Sequence, residues 1–220
     1  MINKNNKILK ITLSEKVIIF FFIIFCLMTI FFFLRITNKC LFINQFDEND
    51  LNIYHNEQII ILEAPCGKIA VKLFTEMAPL NAQQVLSLIK NKKYDNSVFY
   101  RVKKNEIVEF GDLKYGKTNN IDYLRIGTGG SHLKNNISEL SENYNFVRGS
   151  VGMVRRGKFD TENSQIFILL SDNSSFDGQF TPIGEVLMGI KILDKIKYNN
   201  NSEFVLRPDY INKAYIYNFK

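Results

Sequence analysis

Val17 to Leu34 reads VIIFFFIIFCLMTIFFFL, eighteen residues with no charge, no Gly and no Pro. A helix of this composition is apolar all round, so it has no polar face to turn to water. It would extend about 27 Å, close to the roughly 30 Å hydrocarbon core of a bilayer. Lys16 and Arg35 bracket the run, and their long side chains suit the lipid headgroup level. Whatever else the chain folds into, residues 17–35 need lipid or removal.

Removal by signal peptidase would require small residues in an A-x-A-like arrangement after a shorter apolar core. Arg35-Ile36-Thr37-Asn38-Lys39-Cys40 follows instead. Cys40 also lacks the small preceding residue that lipoprotein processing uses. The retained anchor is therefore favoured over the cleaved leader. Lys4, Lys7, Lys10 and Lys16 precede the run, whereas Arg35 and Lys39 are soon followed by Asp47, Glu48 and Asp50. That bias places residues 1–16 in the cytoplasm and the rest in the periplasm or an equivalent extracytoplasmic space.

The net charge of +6 is misleading for the whole chain. Residues 1–35 hold five cations against Glu15, so only +2 remains for everything after them. No basic face for nucleic acid follows from that. His55 and His132 are isolated and no CxxC occurs, so no metal site is expected. Cys40 and Cys66 are available for a disulfide, a pairing that spacing alone leaves open.

Residues 36–57 are polar, Asn-rich and aperiodic, and read as a linker. A folded domain over 58–220 follows. Ile59–Leu62 and Ile69–Phe74 flank a Pro65/Gly67 turn and suggest a hairpin. Pro79 to Lys92 carries Leu80, Val85, Leu88 and Ile89 at helical spacing, with Pro in the first turn. Short apolar runs recur at Val98–Val102, Ile107–Phe110, Ser150–Val154, Ile166–Leu170 and Thr181–Val186, separated by Gly and Asn/Asp clusters. Gly189 to Tyr198 is a second helical stretch, and Ala214 to Phe219 alternates like a closing strand. The pattern predicts a mainly β domain that closes or packs on itself, with two helices.

Gly127-Thr128-Gly129-Gly130 has no following Lys-Ser/Thr, so it reads as a tight turn rather than a phosphate loop. Ser171-Asp172-Asn173 lacks a preceding Ser-x-x-Lys. No nucleophile–base pair stands out.

Two stretches are more informative. Phe99-Tyr100-Arg101-Val102 followed by Gly111-Asp112 resembles the Phe-His-Arg-Val…Gly-Asp pattern of cyclophilins. Ser164-Gln165-Ile166-Phe167-Ile168 is similar to the family's Ser-Gln-Phe-Phe-Ile. Phe176-Asp177-Gly178, Gly184-Glu185-Val186, Gly189 and the Gly67–Phe74 strand with Ala78-Pro79 match in order. Arg148 to Met153 looks most like bacterial members. The resemblance covers about three-quarters of the chain. It implies a closed antiparallel eight-stranded β-barrel capped by two helices, here preceded by one transmembrane helix. It implies peptidyl-prolyl cis-trans isomerase activity on Pro-containing polypeptide clients in protein folding, without a cofactor.

Rotation about a prolyl amide is slow because resonance must be broken. The twisted prolyl nitrogen gains a lone pair, which a fixed cation can meet with a hydrogen bond present only in the transition state. Arg is always charged and presents its N–H groups in a fixed fork. The resemblance assigns that role to Arg101 and substrate-backbone holding to Gln165. It assigns the proline pocket to Ile107, Phe167, Phe176 and Phe180, with Phe99, Glu109 and Met153 beside it.

Five positions depart from the pattern, one of them Phe180 at the last pocket position, where the family often has His or Tyr. Tyr100 replaces His, and Glu106 replaces a pocket Phe, placing a carboxylate where proline wants apolar surface. Glu109 replaces the Gln that steadies the catalytic Arg, and Ser175 replaces an aromatic residue. Two functions therefore stay open: an active isomerase, and a catalytically weak module that binds Pro-containing segments.

Overall fold

A computed structural model of the chain describes residues 12–37, 40, 43–51 and 57–218. Lys4, Lys7, Lys10, Lys39 and His55 lie outside the described residues. Two compact units divide between Leu41 and Phe42. The first contains helix α1, Leu13–Thr37. Thr12 and Glu15 form a reciprocal cap at its start: Thr12 N donates to Glu15 Oε2 at 2.7 Å, and Glu15 N donates to Thr12 Oγ1 at 3.4 Å. Inside the apolar run, the Thr29 hydroxyl donates to the Cys26 carbonyl at 2.8 Å. Its one polar side chain is thus satisfied within the helix. The helix is long and apolar enough to cross a membrane. Among the described residues, Cys26 within this helix is a free cysteine.

The second unit is built on one curled sheet. Its strands are β1 (Gln58–Ala64), β2 (Gly67–Leu73), β3 (Arg101–Lys103), β4 (Ile107–Phe110), β7 (Ser150–Met153), β8 (Ile166–Leu169), β9 (Pro182–Met188) and β10 (Lys213–Ile216). A two-stranded ribbon pairs β5 (Gly116–Lys117) with β6 (Asn120–Ile121). The large sheet runs β10-β1-β2-β9-β7-β8-β4-β3, antiparallel throughout.

The expected closed barrel is corrected here: β10 and β3 are free ends of the sheet order. The gap is spanned by residues 203–211, which make single bridges, Arg101 with Phe204 and Val98 with Tyr210. Val102 N donates to Glu203 O at 2.8 Å, Val205 N to Tyr100 O at 3.0 Å, and Phe99 N to Asp209 O at 2.9 Å. A continuous strand cannot form there. Arg207 takes φ 51°, and Pro208 has no N–H to give to a ladder. This seam reappears in the site.

β1 is buried on both faces, which explains its unbroken apolar run. Ile59 and Ile61 alternate to the outer face with Ala70, where Phe46, Leu51, Met188, Tyr215 and Tyr217 cover them. Part of the stretch read as a linker therefore packs on the sheet. Gln45 Nε2 donates to Cys66 O at 2.6 Å, and Glu48 accepts from Lys68 Nζ at 2.5 Å and from the Tyr215 hydroxyl at 2.6 Å.

Helix α2 spans Pro79–Lys90, with Pro in the first turn. Its buried face is Asn81, Ala82, Val85, Leu88 and Ile89. Leu80, expected on that face, is exposed, because it lies two residues, about 200°, from Ala82. The Glu139 carboxylate caps the helix by accepting from Leu80 N at 3.0 Å and Asn81 N at 2.9 Å. Helix α3 is shorter than expected, Ile190–Leu193. Ile192, Leu193 and Ile196 are nonetheless all buried.

Candidate active site

Cross-strand partners in a sheet point the same way. Arg101 on β3 lies opposite Glu109 on β4, Glu109 opposite Phe167 on β8, and Phe167 opposite Gly152 on β7. These four positions form one transverse row on one face of the sheet. Ile107 shares that face two residues from Glu109, and Gln165 shares it two residues before Phe167. The register thus brings a cation, a carboxylate, an amide and an aromatic floor together.

Gly152 makes room for the floor. A Cβ there would lie 2.3 Å from the Phe167 ring, so only Gly lets the ring lie across β7. Phe167 meets Phe176 and Phe180 edge-on, with centroids 5.3 and 5.4 Å away, and Phe146 at 5.7 Å. Phe176 and Phe180 stack on each other at 4.5 Å. Ile107, Leu169 and Val154 complete this cluster. Phe176 and Phe180 are only half-buried, leaving ring surface for an apolar ligand. Edge and face contacts of this kind hold rings in fixed orientations.

Arg101 is held from two sides. NH1 donates to Glu109 Oε1. Nε donates to Glu203 Oε2 at 2.7 Å, and NH2 lies 2.5 Å from the same oxygen. Three of the five N–H groups are engaged, which leaves one on each terminal nitrogen. Partial burial works against the Arg101 charge, and the Glu109 and Glu203 carboxylates outweigh it, so the pKa is raised. Glu109 is buried; loss of hydration raises its pKa, against the opposing pull of Arg101.

Gln165 is buried and anchored at both ends. Its Nε2 donates to the Gly129 carbonyl, and its Oε1 accepts from the Tyr100 hydroxyl at 2.6 Å. The Tyr100 hydroxyl also lies 3.1 Å from Glu109 Oε2. The Gly127–Gly129 turn is fixed by the fully buried Asp112 carboxylate. Its Oδ2 accepts from Gly127 N at 2.8 Å and Gly129 N at 2.9 Å, and its Oδ1 from Tyr115 N at 2.9 Å and Lys114 N at 3.1 Å. A Cβ at Gly129 would lie 2.1 Å from Asp112 Oδ1, so the close approach needs Gly. The turn expected here is a support for Gln165.

Arg101, Gln165, Ile107, Glu109, Phe167, Phe176 and Phe180 are thus assembled together. Phe99 and Met153 are not on this face. Phe99 is fully buried edge-on to Phe110, 5.5 Å between centroids. Met153 follows Gly152 and alternates to the opposite face, also fully buried. Its neighbour Val154 takes the place in the cluster. Glu106 avoids the apolar floor: its carboxylate pairs with Lys103 Nζ at 2.5 Å, both groups about half exposed. Glu203 and Phe146 carry no motif signal, and Gly152 stands in the Arg148–Met153 resemblance without a role in the site. Counting alternation from Gly152 would have exchanged Met153 for Val154, whereas Glu203 depends on the seam, which leaves no pattern.

The antiparallel sheet thus sets an Arg–Gln pair beside an aromatic basin, an arrangement suited to holding an apolar ring and its adjoining amide. The family profile for cyclophilin type peptidyl-prolyl cis-trans isomerase/CLD matches residues 59–216. A probable peptidyl-prolyl cis-trans isomerase of Brucella suis biovar 1 (strain 1330) is 36% identical over 163 residues, 73% of this chain and 83% of that protein. A peptidyl-prolyl cis-trans isomerase of Acinetobacter baylyi is 28% identical over 143 residues, 63% of this chain and 71% of that one. The crystal structure of a Cryptosporidium parvum cyclophilin type isomerase superposes with TM-score 0.65 at 21% identity, covering 74% of this chain and 99% of its own. The same protein was also crystallised in the presence of the dipeptide Ala-Pro. The chain belongs to the cyclophilin-type peptidyl-prolyl cis-trans isomerase family.

Proposed function

We propose that the chain is a membrane-anchored isomerase that assists folding of Pro-containing polypeptides outside the cytoplasm. The proline ring rests on Phe167, Phe176, Phe180 and Ile107. Gln165 holds the substrate backbone through its remaining Nε2–H. Arg101 donates a free N–H to the prolyl nitrogen as it becomes pyramidal. The observation that carries this reading is the Arg101–Glu109–Phe167–Gly152 row, which sets a clamped guanidinium beside an aromatic floor.

The anchor is supported by the length and composition of α1. The extracytoplasmic placement is supported by the charge bias around it.

The test is a proline-isomerisation assay on the full chain in detergent, beside Arg101→Ala. Losing one preorganised donor at a developing charge lowers rates by about 10²–10³. No rate above background in the wild type, with peptide binding intact, would instead favour the binding module. Labelling of lysines in intact cells reads the topology: a domain protected from an impermeant reagent contradicts the placement.

A further inference from the structure

Tyr100, Glu109 and Gln165 form a buried cluster whose donors and acceptors do not balance if Glu109 is ionised. The Tyr100 hydroxyl has one proton to donate. Two acceptors face it: Gln165 Oε1 at 2.6 Å and Glu109 Oε2 at 3.1 Å. Turning the Gln165 amide over would relieve the conflict at Tyr100. It would also press Oε1 against the Gly129 carbonyl, which now accepts from Nε2. Gly129 cannot move away, because Asp112 holds its N–H at 2.9 Å. The shorter contact therefore takes the Tyr100 proton. Glu109 Oε2 is then left facing an oxygen lone pair in a site where the carboxylate is only 7% exposed. Such a contact is unfavourable when desolvated. A proton on Glu109 Oε2 resolves it.

We propose that Glu109 is protonated in the assembled site, and that Tyr100 is a positioning residue relaying this proton's orientation to Gln165. The chain then runs one way: Glu109 Oε2–H to the Tyr100 oxygen, Tyr100 O–H to Gln165 Oε1, and Gln165 Nε2–H to Gly129 O. Glu109 Oε1 still accepts from Arg101. Gln165 has its oxygen engaged, so it meets the substrate as a donor.

The surroundings favour the neutral form. The charged or titratable groups near Glu109 are Arg101 from β3, Glu203 from the seam, Tyr100 before β3 and Asp112 after β4. β8 presents only Phe167. Glu203 already supplies Arg101 with a counter-charge, so a second carboxylate beside it adds repulsion as well as attraction. Burial raises the Glu109 pKa, and burial together with the Glu109 charge holds the Tyr100 phenol protonated throughout. When Glu109 does ionise, its Oε2 competes with Gln165 Oε1 for the single Tyr100 O–H, which weakens the hydrogen bond that orients Gln165.

The activity part rests on the isomerase reading; the proton does not. Infrared difference spectra of the full chain in detergent, against Glu109→Gln, read the proton directly. The expected result is a carboxylic-acid carbonyl band that persists at pH values where the surface carboxylates are ionised. Its absence there overturns the proton on Glu109. The Gln165 side-chain amide signals in NMR read the relay without catalysis. They should shift as Glu109 titrates in the wild type and stay fixed in Tyr100→Phe; a shift of the same size in Tyr100→Phe overturns the role of Tyr100. In the isomerase assay kcat/KM should fall as pH rises through the loss of the infrared band. Glu109→Gln, which has no carboxyl proton to lose, should abolish this pH dependence, whatever level of activity it retains. Tyr100→Phe should lose about fivefold, the change expected for one buried hydrogen bond. A chain inactive in every form would count against the isomerase reading and leave the infrared and NMR results to decide the proposal.

Discussion

Arg101 and Glu203 meet across the open seam of the sheet: Nε donates to Glu203 Oε2 at 2.7 Å, from a segment 102 residues later in the chain. Glu203 is fixed by its own backbone, since its carbonyl accepts from Val102 N at 2.8 Å. The contact therefore orients the guanidinium on the side away from Glu109. In the proposed mechanism, a fork clamped at both ends would be preorganised for a substrate that offers only a transient lone pair.

Glu203→Ala should lower kcat/KM about fivefold, mainly through kcat. The pair is partly exposed, so solvent screens it and the loss stays well below that of Arg101→Ala. Glu203→Gln keeps an acceptor oxygen and should recover part of the loss. Steady-state kinetics on a Pro-containing peptide distinguish this from general damage, because unfolding would reduce active protein without recovery by Gln.

Gly152→Ala tests the aromatic floor. The new methyl would lie 2.3 Å from the Phe167 ring, and that ring is hemmed in by Phe146, Phe176 and Phe180. Overpacking of this kind costs about 1–3 kcal/mol. The chain should show a lower unfolding temperature and weaker binding of Pro-containing peptide by titration. Unchanged peptide affinity would place the proline ring elsewhere.

Much of this arrangement was readable in the residues. The row Arg101–Glu109–Phe167 follows from three short strands; the apolar runs mark β4 and β8 to within a residue, while β3 starts three residues later than its run. Gln165 and the Gly127–Gly129 turn were recognisable as motifs, though not as partners. The open seam was not readable, because one bridge at Phe204 and one at Tyr210 leave no periodicity. Nor was the docking of Phe46 and Leu51, since two apolar residues in a polar stretch have no period. Glu106 misled for a related reason: a match to a family position fixes the backbone place, while Lys103 decides where the carboxylate goes.

Glu106→Ala should therefore leave kcat/KM within about twofold. An exposed i,i+3 ion pair contributes little to stability or site geometry. A larger loss would show that Glu106 turns into the basin when substrate arrives.

Glu109 and Glu48 should give the chain opposite pH dependences of stability. The Glu109 pKa is raised in the fold, chiefly by burial. Its proton is bound more tightly than in the unfolded chain. Stability from this group is full below the ordinary carboxylate range and is lost as pH rises through the raised value. Glu109→Gln should remove that alkaline-side loss in thermal melts.

The Glu48 pKa is lowered, first by the hydrogen bond from Lys68 and then by that from Tyr215. Its contribution is present above the ordinary carboxylate range and is lost as pH falls through the lowered value. Thermal melts of Glu48→Gln should therefore lie below the wild type at neutral pH and converge with it in acid. Phe46→Ala should cost about 2 kcal/mol at every pH, less than the roughly 3–5 of a fully buried Phe, because the ring is half-covered and carries no charge. If both variants melted like the wild type at neutral pH, residues 45–51 would be a passive tether, and the outer face of Ile59 and Ile61 would need another cover.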